Sequence, residues 1–283
     1  MSGSAGVRAL YVLRDELESH GQEAQMFVYA RKARRLASTA KQVLKIDEDS
    51  RNRDIVVYPE TVWGNPLGFR RVVRWFLNRP GLLGGTAHFG RGEIPFVWSR
   101  RYFSAGPCLR VDVIDRSLFY EAGCVRDTDA TFVYKGGRVR ETPELAGLAE
   151  ITMDSPSSRQ ELANLLRRTR TLYTHDGDSS LLVEALACGA QVKVITKTGL
   201  ADYRMQDPLF DRQVFERQLA AFVALTQDMP EGNVCRAGLA ARRFARPVNF
   251  VFLCLFAALR RIHPSTWTKK WNGFFSQCVY LHP

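Results

Sequence analysis

The chain has 283 residues and no Asp or Glu after Glu231. It has no CxxC pair and no His near a Cys at zinc-ligand spacing. Six cysteines at 108, 124, 188, 235, 254 and 278 therefore read as reduced, mostly buried thiols, not as a zinc site or a disulfide framework. Long apolar runs are also missing. The run at Val251–Leu259 falls well short of the roughly 18 residues that would span a bilayer. Arg8 and Arg14 break the first apolar stretch, and no cleavage-type sequence follows it, so no signal peptide is expected. There is no low-complexity segment and no repeat of solenoid period. Hydrophobic residues at 46% and charged residues at 24% are ordinary globular values, which exclude a disordered or collagen-like chain. The length suggests two domains.

Positive charge is present and unevenly placed. There are 40 Lys+Arg against 29 Asp+Glu, net +11. Arg236, Arg242, Arg243, Arg246, Arg260, Arg261, Lys269 and Lys270 supply +8 of that within 232–283. They alternate with Phe244, Phe250, Phe252, Phe256, Trp267, Trp271, Phe274, Phe275 and Tyr280. Basic and aromatic residues together suit an anionic membrane surface, with cations on head groups and rings in the interface. Single-stranded nucleic acid can use the same mixture, but no nucleic-acid-binding motif accompanies it, so no nucleic-acid partner is expected. A solvated basic face on a packed C-terminal helix is the plainest alternative.

Periodicity alternates along the chain. Residues 7, 10, 13 and 17 give a helix over Val7–His20, stopped by Gly21. Strands are predicted at Glu23–Tyr29, Asp54–Tyr58, Pro95–Trp98 and Leu109–Ile114, with a basic amphipathic helix at Leu67–Leu77. A second series follows: strands at Thr131–Tyr134, Ala149–Met153, Thr171–Thr174 and Gln191–Thr196. A capping box at Ser158-Arg-Gln-Glu161 opens one helix, and Ser180–Cys188 forms another, ended by Gly189. An amphipathic stretch at about 202–228 is expected to return toward the N-terminal domain. Two blocks of alternating strands and helices imply an α/β protein of two Rossmann-like domains.

Chemistry concentrates at Leu172–Ile195, where a strand enters a polar loop and then a small-residue helix. Ligands bind beyond the carboxyl ends of such strands. The helix start offers free N–H groups to a phosphate, and Ser179 and Ser180 add hydroxyls. Glu184 lies one turn on, where a carboxylate can accept from ribose hydroxyls. Asp176 and Asp178 stand in the loop.

Asp176, Glu184 eight residues later, Ala185 and Cys188-Gly189 before a β-branched strand resemble the nucleotide-sugar site of GT-B glycosyltransferases. Their usual form is Glu-x7-Glu followed by Ala-x-x-x-Gly-x-Pro-Val; Asp176 stands for the first Glu here and Gln191 for the Pro. Other blocks are similar to bacterial cell-surface polysaccharide members: Tyr58-Pro-Glu60-Thr-Val-Trp-Gly64-Asn65-Pro66-Leu67, Val73-Arg74-Trp75, Leu77-Asn78-Arg79-Pro80-Gly81, Val113-Ile114-Asp115 with Phe119, and Val133-Tyr134-Lys135-Gly136-Gly137. Together they cover most of 3–196.

The resemblance implies two Rossmann-like domains facing a cleft: an acceptor-side domain over 1–115, a nucleotide-sugar domain over 116–200, and C-terminal helices over 201–283 that include a basic aromatic, membrane-facing tail. It implies that Lys135, Arg138, Asp176, Ser179, Ser180 and Glu184 bind the donor, and that Gly3, Asn65 and His88 face the acceptor. Glu60, just past a buried strand, is the candidate base, with His88 a second candidate. Asp127-Thr-Asp129 and Asp176-Gly177-Asp178 formally match the metal motif of the other large glycosyltransferase fold. The GT-B resemblance instead implies no metal and no cofactor, with Lys135 and the helix dipole acting on the diphosphate.

The implied partners are a nucleotide sugar, a glycan or lipid-linked acceptor and an anionic membrane, at the cytoplasmic face of the inner membrane. An epimerase of the same fold and a non-catalytic membrane-associated interaction protein remain open. The family also implies a strand ahead of the loop at Gly3-Ser4-Ala5-Gly6. Its absence leads to the expectation of a start downstream of the native one or a domain lacking a central strand.

Overall fold

The structure is a computed structural model that describes residues 5–28, 42–43, 46–82, 85, 90, 92–132, 145–152, 155–229 and 277–282. It is an α/β protein with two parallel-rich sheets. The chain divides into two compact units: 1–112 with 209–283, and 113–208.

In the first unit, helix α1 (Ala5–Ser19) buries Val7, Ala9, Leu10, Leu13 and Leu17, the stripe read from the sequence. Strand β1 (Glu23–Val28) follows, then the short β2 (Gln42–Val43) and the single-turn helix α2 (Glu48–Arg53), capped by Asp47. Strands β3 (Ile55–Pro59), β4 (Arg71–Phe76) and β5 (Ile94–Val97) run parallel to one another. All five residues of β3 are buried, as its unbroken apolar run demands of a strand covered on both faces.

Two expectations fail here. Residues 67–77 are not a helix: the segment becomes β4. Apolar residues at 67, 69, 72, 73, 75 and 76 satisfy a helical period, but Gly68 turns the chain at φ 75° and the β-branched and aromatic run beyond it enters the sheet. Arg74, which a surface helix would expose, is fully buried. Leu109–Ile114 is not a strand either. Leu109 donates its N–H to the Val97 carbonyl at 2.8 Å, but pairing there ends at a single bridge between Val97 and Cys108.

The sheet order is β2-β1-β11-β3-β4-β5, where β11 is Gln277–His282. This strand lies between β1 and β3 and is antiparallel to both. A central place in this sheet is thus held by residues from the far end of the chain. Within 232–283, expected to be helical, 277–282 is therefore a strand; the rest of the basic aromatic tail lies outside the described residues. Helix α5 (Arg212–Gln227) belongs to this unit and buries Phe215, Leu219 and Phe222. Phe222 meets Phe96 edge-on at 4.9 Å, Gln218 accepts the Arg110 N–H, and Arg212 holds Glu16 with both terminal nitrogens.

The second unit has the order β10-β9-β8-β6-β7. Strands β6 (Thr128–Phe132), β7 (Ala149–Ile151), β8 (Thr169–Thr174) and β9 (Gln191–Thr196) are parallel; β10 (Gly199–Asp202) is an antiparallel edge. Helix α3 (Arg159–Arg168) joins β7 to β8 and opens with the expected capping box: Ser158 accepts from the Glu161 N–H, and the Glu161 carboxylate accepts in return. Helix α4 (Ser180–Ala187) joins β8 to β9. It ends in a Schellman arrangement, with Gly189 at φ 80° donating to Leu186 and Ala190 donating to Ala185. A Cβ at 189 would strike Arg126 and Glu121. Phe119, Ala130, Leu166, Leu172, Leu182 and Ala185 form the core. Among the described residues, no helix is long and apolar enough to cross a membrane.

Candidate functional site

In the second unit the chain leaves β6 toward β7 on one side and returns to β8 on the other. The crevice of an open α/β sheet lies at such a reversal, beyond the carboxyl ends of the strands. Phe132 and Thr174, the last residues of β6 and β8, are register partners there. The loop after Thr174 carries Asp176 and leads into α4. Asp176 Oδ1 accepts the Asp178 N–H at 2.9 Å, and the Asp176 N–H goes to Thr174 Oγ1. Ser179 is the N-cap of α4, its Oγ accepting from the Leu181 N–H. Ser180 is the first residue of the helix. Asp176, Ser179 and Ser180 thus share one turn at the carboxyl end of β8. Lys135 and Arg138, which follow β6 in sequence, lie outside the described residues.

Glu184 sits on the next turn of α4, and its side chain is only 2% exposed. Both carboxylate oxygens are engaged: Arg159 Nη2 donates to Oε1 at 2.9 Å and Nη1 to Oε2 at 3.1 Å. Arg159 also stacks over Phe119, with 4.4 Å from its guanidinium carbon to the ring centroid. The sequence reading missed this arginine. It stands inside the capping box, and a carboxylate within the apolar helix SLLVEALA demands a counterion, because an unpaired buried charge is costly.

The formal metal motifs find other partners. Asp127 and Asp129 are held by Arg168 and Arg170, whose guanidinium groups keep both carboxyls below their usual range. Among the described residues, no three His, Cys, Asp or Glu side chains cluster as metal ligands. Burial pushes the Cys188 thiol up to about 11, which leaves it inert.

In the first unit, Glu60 follows the last residue of β3 and is fully buried. The Leu77 N–H, just past β4, donates to Oε2 at 2.9 Å, while Oε1 has no partner among the described residues. Arg74 lies near but is committed elsewhere. Its Nε and Nη2 hold Glu93 at 3.1 and 2.9 Å, and its terminal nitrogens reach the carbonyls of Val62 and Gly64. Burial therefore dominates and raises the Glu60 carboxyl to about 7, against the opposing pull of neighbouring backbone N–H groups and Arg74. A carboxyl poised there exchanges protons near neutrality.

Asn65 is occupied locally. Its Oδ1 accepts from Tyr58 Oη and from the N–H groups of Gly68 and Phe69, and its Nδ2 donates to the Phe69 carbonyl. It shapes the turn that precedes β4. Gly3 and His88 lie outside the described residues. Comparison with known proteins adds no identity: no family model, no curated protein and no solved structure matches the chain.

Proposed function

We propose that the chain is a metal-independent glycosyltransferase of GT-B type, transferring a sugar from a nucleoside diphosphate sugar. The observation that carries this reading is the strand reversal at Phe132 and Thr174, which sets the Asp176–Ser180 turn and the start of α4 at the carboxyl end of a parallel sheet. The N–H groups of α4, with Ser179 and Ser180, take a phosphate; Lys135 and Arg138 add positive charge. Asp176 meets the sugar and Glu184 the ribose. Glu60 is the base that accepts a proton from the acceptor hydroxyl, a role suited to a carboxyl raised to about 7. The acceptor is a cell-surface glycan or its lipid-linked precursor, and the basic aromatic stretch 232–276 binds an anionic membrane surface at the cytoplasmic face.

A second reading has one observation in its favour. With β11 antiparallel in the middle of the first sheet, that unit departs from an all-parallel transferase domain. This suits a non-catalytic, membrane-associated interaction protein derived from a transferase. Thermal unfolding with EDTA present, across nucleotides and nucleotide sugars, separates the two. A ligand at 100 times its Kd adds about 2.7 kcal/mol. Stabilisation by one nucleotide family, weakened in Glu184→Ala relative to that variant's own baseline, together with sugar transfer lost in Glu60→Gln, supports the enzyme. A folded sample that no nucleotide stabilises turns the choice to the non-catalytic protein.

A further inference from the structure

The Arg159–Glu184 pair is asymmetric in a way the donor motif does not foresee. The carboxylate is almost enclosed, whereas Arg159 keeps 21% of its side chain exposed. So the pair meets solvent through its cation. Three contacts immobilise that cation. Two terminal nitrogens are tied end-on to Glu184. One face of the guanidinium lies on Phe119. Its backbone is the first residue of α3, locked by the Ser158–Glu161 capping box.

A guanidinium has five N–H donors, and Glu184 takes two of them. The other three have no partner among the described residues. Helices α3 and α4 each follow a parallel strand, β7 and β8, so both start at the carboxyl end of the sheet. Arg159 is in the first turn of α3, and Glu184 is in the second turn of α4. A preorganised arginine loses little entropy on forming a further bond and matches phosphate oxygens better than lysine does.

We infer that Arg159 is a phosphate-binding residue of the donor site, held in position by Glu184 and Phe119. This rests on the donor-site reading above and deepens it: the second acid of the motif orients a cation that meets the diphosphate. A lone arginine on a helix surface would have no reason to be fixed on three sides. Loading the site then gives the diphosphate a charged partner from α3 in addition to the N–H groups of α4.

The test is calorimetric binding of UDP, GDP, ADP, CDP and inorganic pyrophosphate to the full chain at two salt concentrations. Wild type is compared with Arg159→Lys and with the double variant R159Q/E184Q. The lysine keeps a cation but loses the planar fork; the double variant removes both charges together and leaves neither stranded. The expected result is nucleoside diphosphate binding by wild type that weakens at least tenfold in both variants, each with a native circular dichroism spectrum. The dependence of affinity on salt should become shallower in R159Q/E184Q, which a purely structural role would not alter. Pyrophosphate that binds wild type and loses affinity in parallel places the contact on the phosphates and not on the nucleoside. Unchanged affinity and unchanged salt dependence in a folded R159Q/E184Q would overturn the inference while leaving the donor site standing. Failure of wild type to bind any of the five probes would overturn both.

Discussion

Each unit buries a glutamate beside the carboxyl end of a parallel strand, yet the two acids are treated oppositely. In the second unit Glu184 receives a whole guanidinium, with one nitrogen on each oxygen. In the first unit Glu60 is equally enclosed, but the nearby arginine is committed to Glu93 and two carbonyls, so one oxygen has no partner among the described residues. Burial alone therefore does not decide what a buried acid does. A paired carboxylate is a fixed charge suited to orienting something else, whereas an unpaired one is easily protonated and suited to exchanging a proton.

The contrast is easiest to break at Arg159. Arg159→Leu strands the Glu184 charge and should cost about 3–5 kcal/mol, as loss of one member of a buried pair does. Urea unfolding of this variant beside R159L/E184L, which should recover much of the loss, measures it. A loss under about 1 kcal/mol would mean that Glu184 is no more committed than Glu60.

Next in size is Glu60→Gln. The folded carboxyl titrates at about 7 against 4.5 when exposed, so the folded state keeps its proton to higher pH. Wild type is then at full stability from this group below pH 4.5, loses stability as pH rises from 4.5 to 7, and changes little above that. The whole span is about 3 kcal/mol. Glutamine cannot titrate, so the variant should gain on wild type steadily across that window. Urea midpoints at pH 4.5, 6 and 8 check this; a constant difference between the two proteins would show that Glu60 is not the proton-holding acid.

Ser158→Ala removes the cap that fixes the backbone of Arg159 and should cost about 1 kcal/mol, seen as a lower melting temperature. The smallest effect belongs to an exposed pair, His20 with Glu216. The Glu16 carbonyl, first, and the Glu216 carboxylate raise the His20 pKa. The small stabilisation is therefore complete below the ordinary histidine value and disappears as pH rises through the raised one. An NMR titration of Glu216→Gln should bring His20 back down, with almost no change in melting temperature.

The second unit was largely legible in the sequence. Strands β8 and β9 carry β-branched residues between strong stops, and the Ser158–Glu161 box and Gly189 mark helix ends by local chemistry; β6 begins three residues before the expected Thr131, and the edge strand β10, with no β-branched residue, falls partly in 201–283, expected to be helical. The first unit was less legible because its decisive features are not local. The apolar spacing around Val72 and Trp75 fits a helix as well as a strand, and it is pairing with β3 and β5, distant in sequence, that makes the segment β4. Similarly, nothing near residue 277 announces that it pairs with Val28. At the candidate sites, the strand-to-helix turn was readable from residue types. The partner of Glu184 was not, because Arg159 approaches from another helix.

The place of β11 has a consequence for synthesis. Val28 and Gln277 are register partners about 250 residues apart, so at roughly 5–20 residues per second β1 waits about 10–50 seconds for its neighbour to leave the ribosome. The second unit is encoded wholly within that interval and can fold meanwhile from its own residues. During the wait β1 and β3 each have an open edge in the middle of what will become one sheet. Those are the edges on which other chains most readily pair, so exposure to mispairing is greatest in that interval.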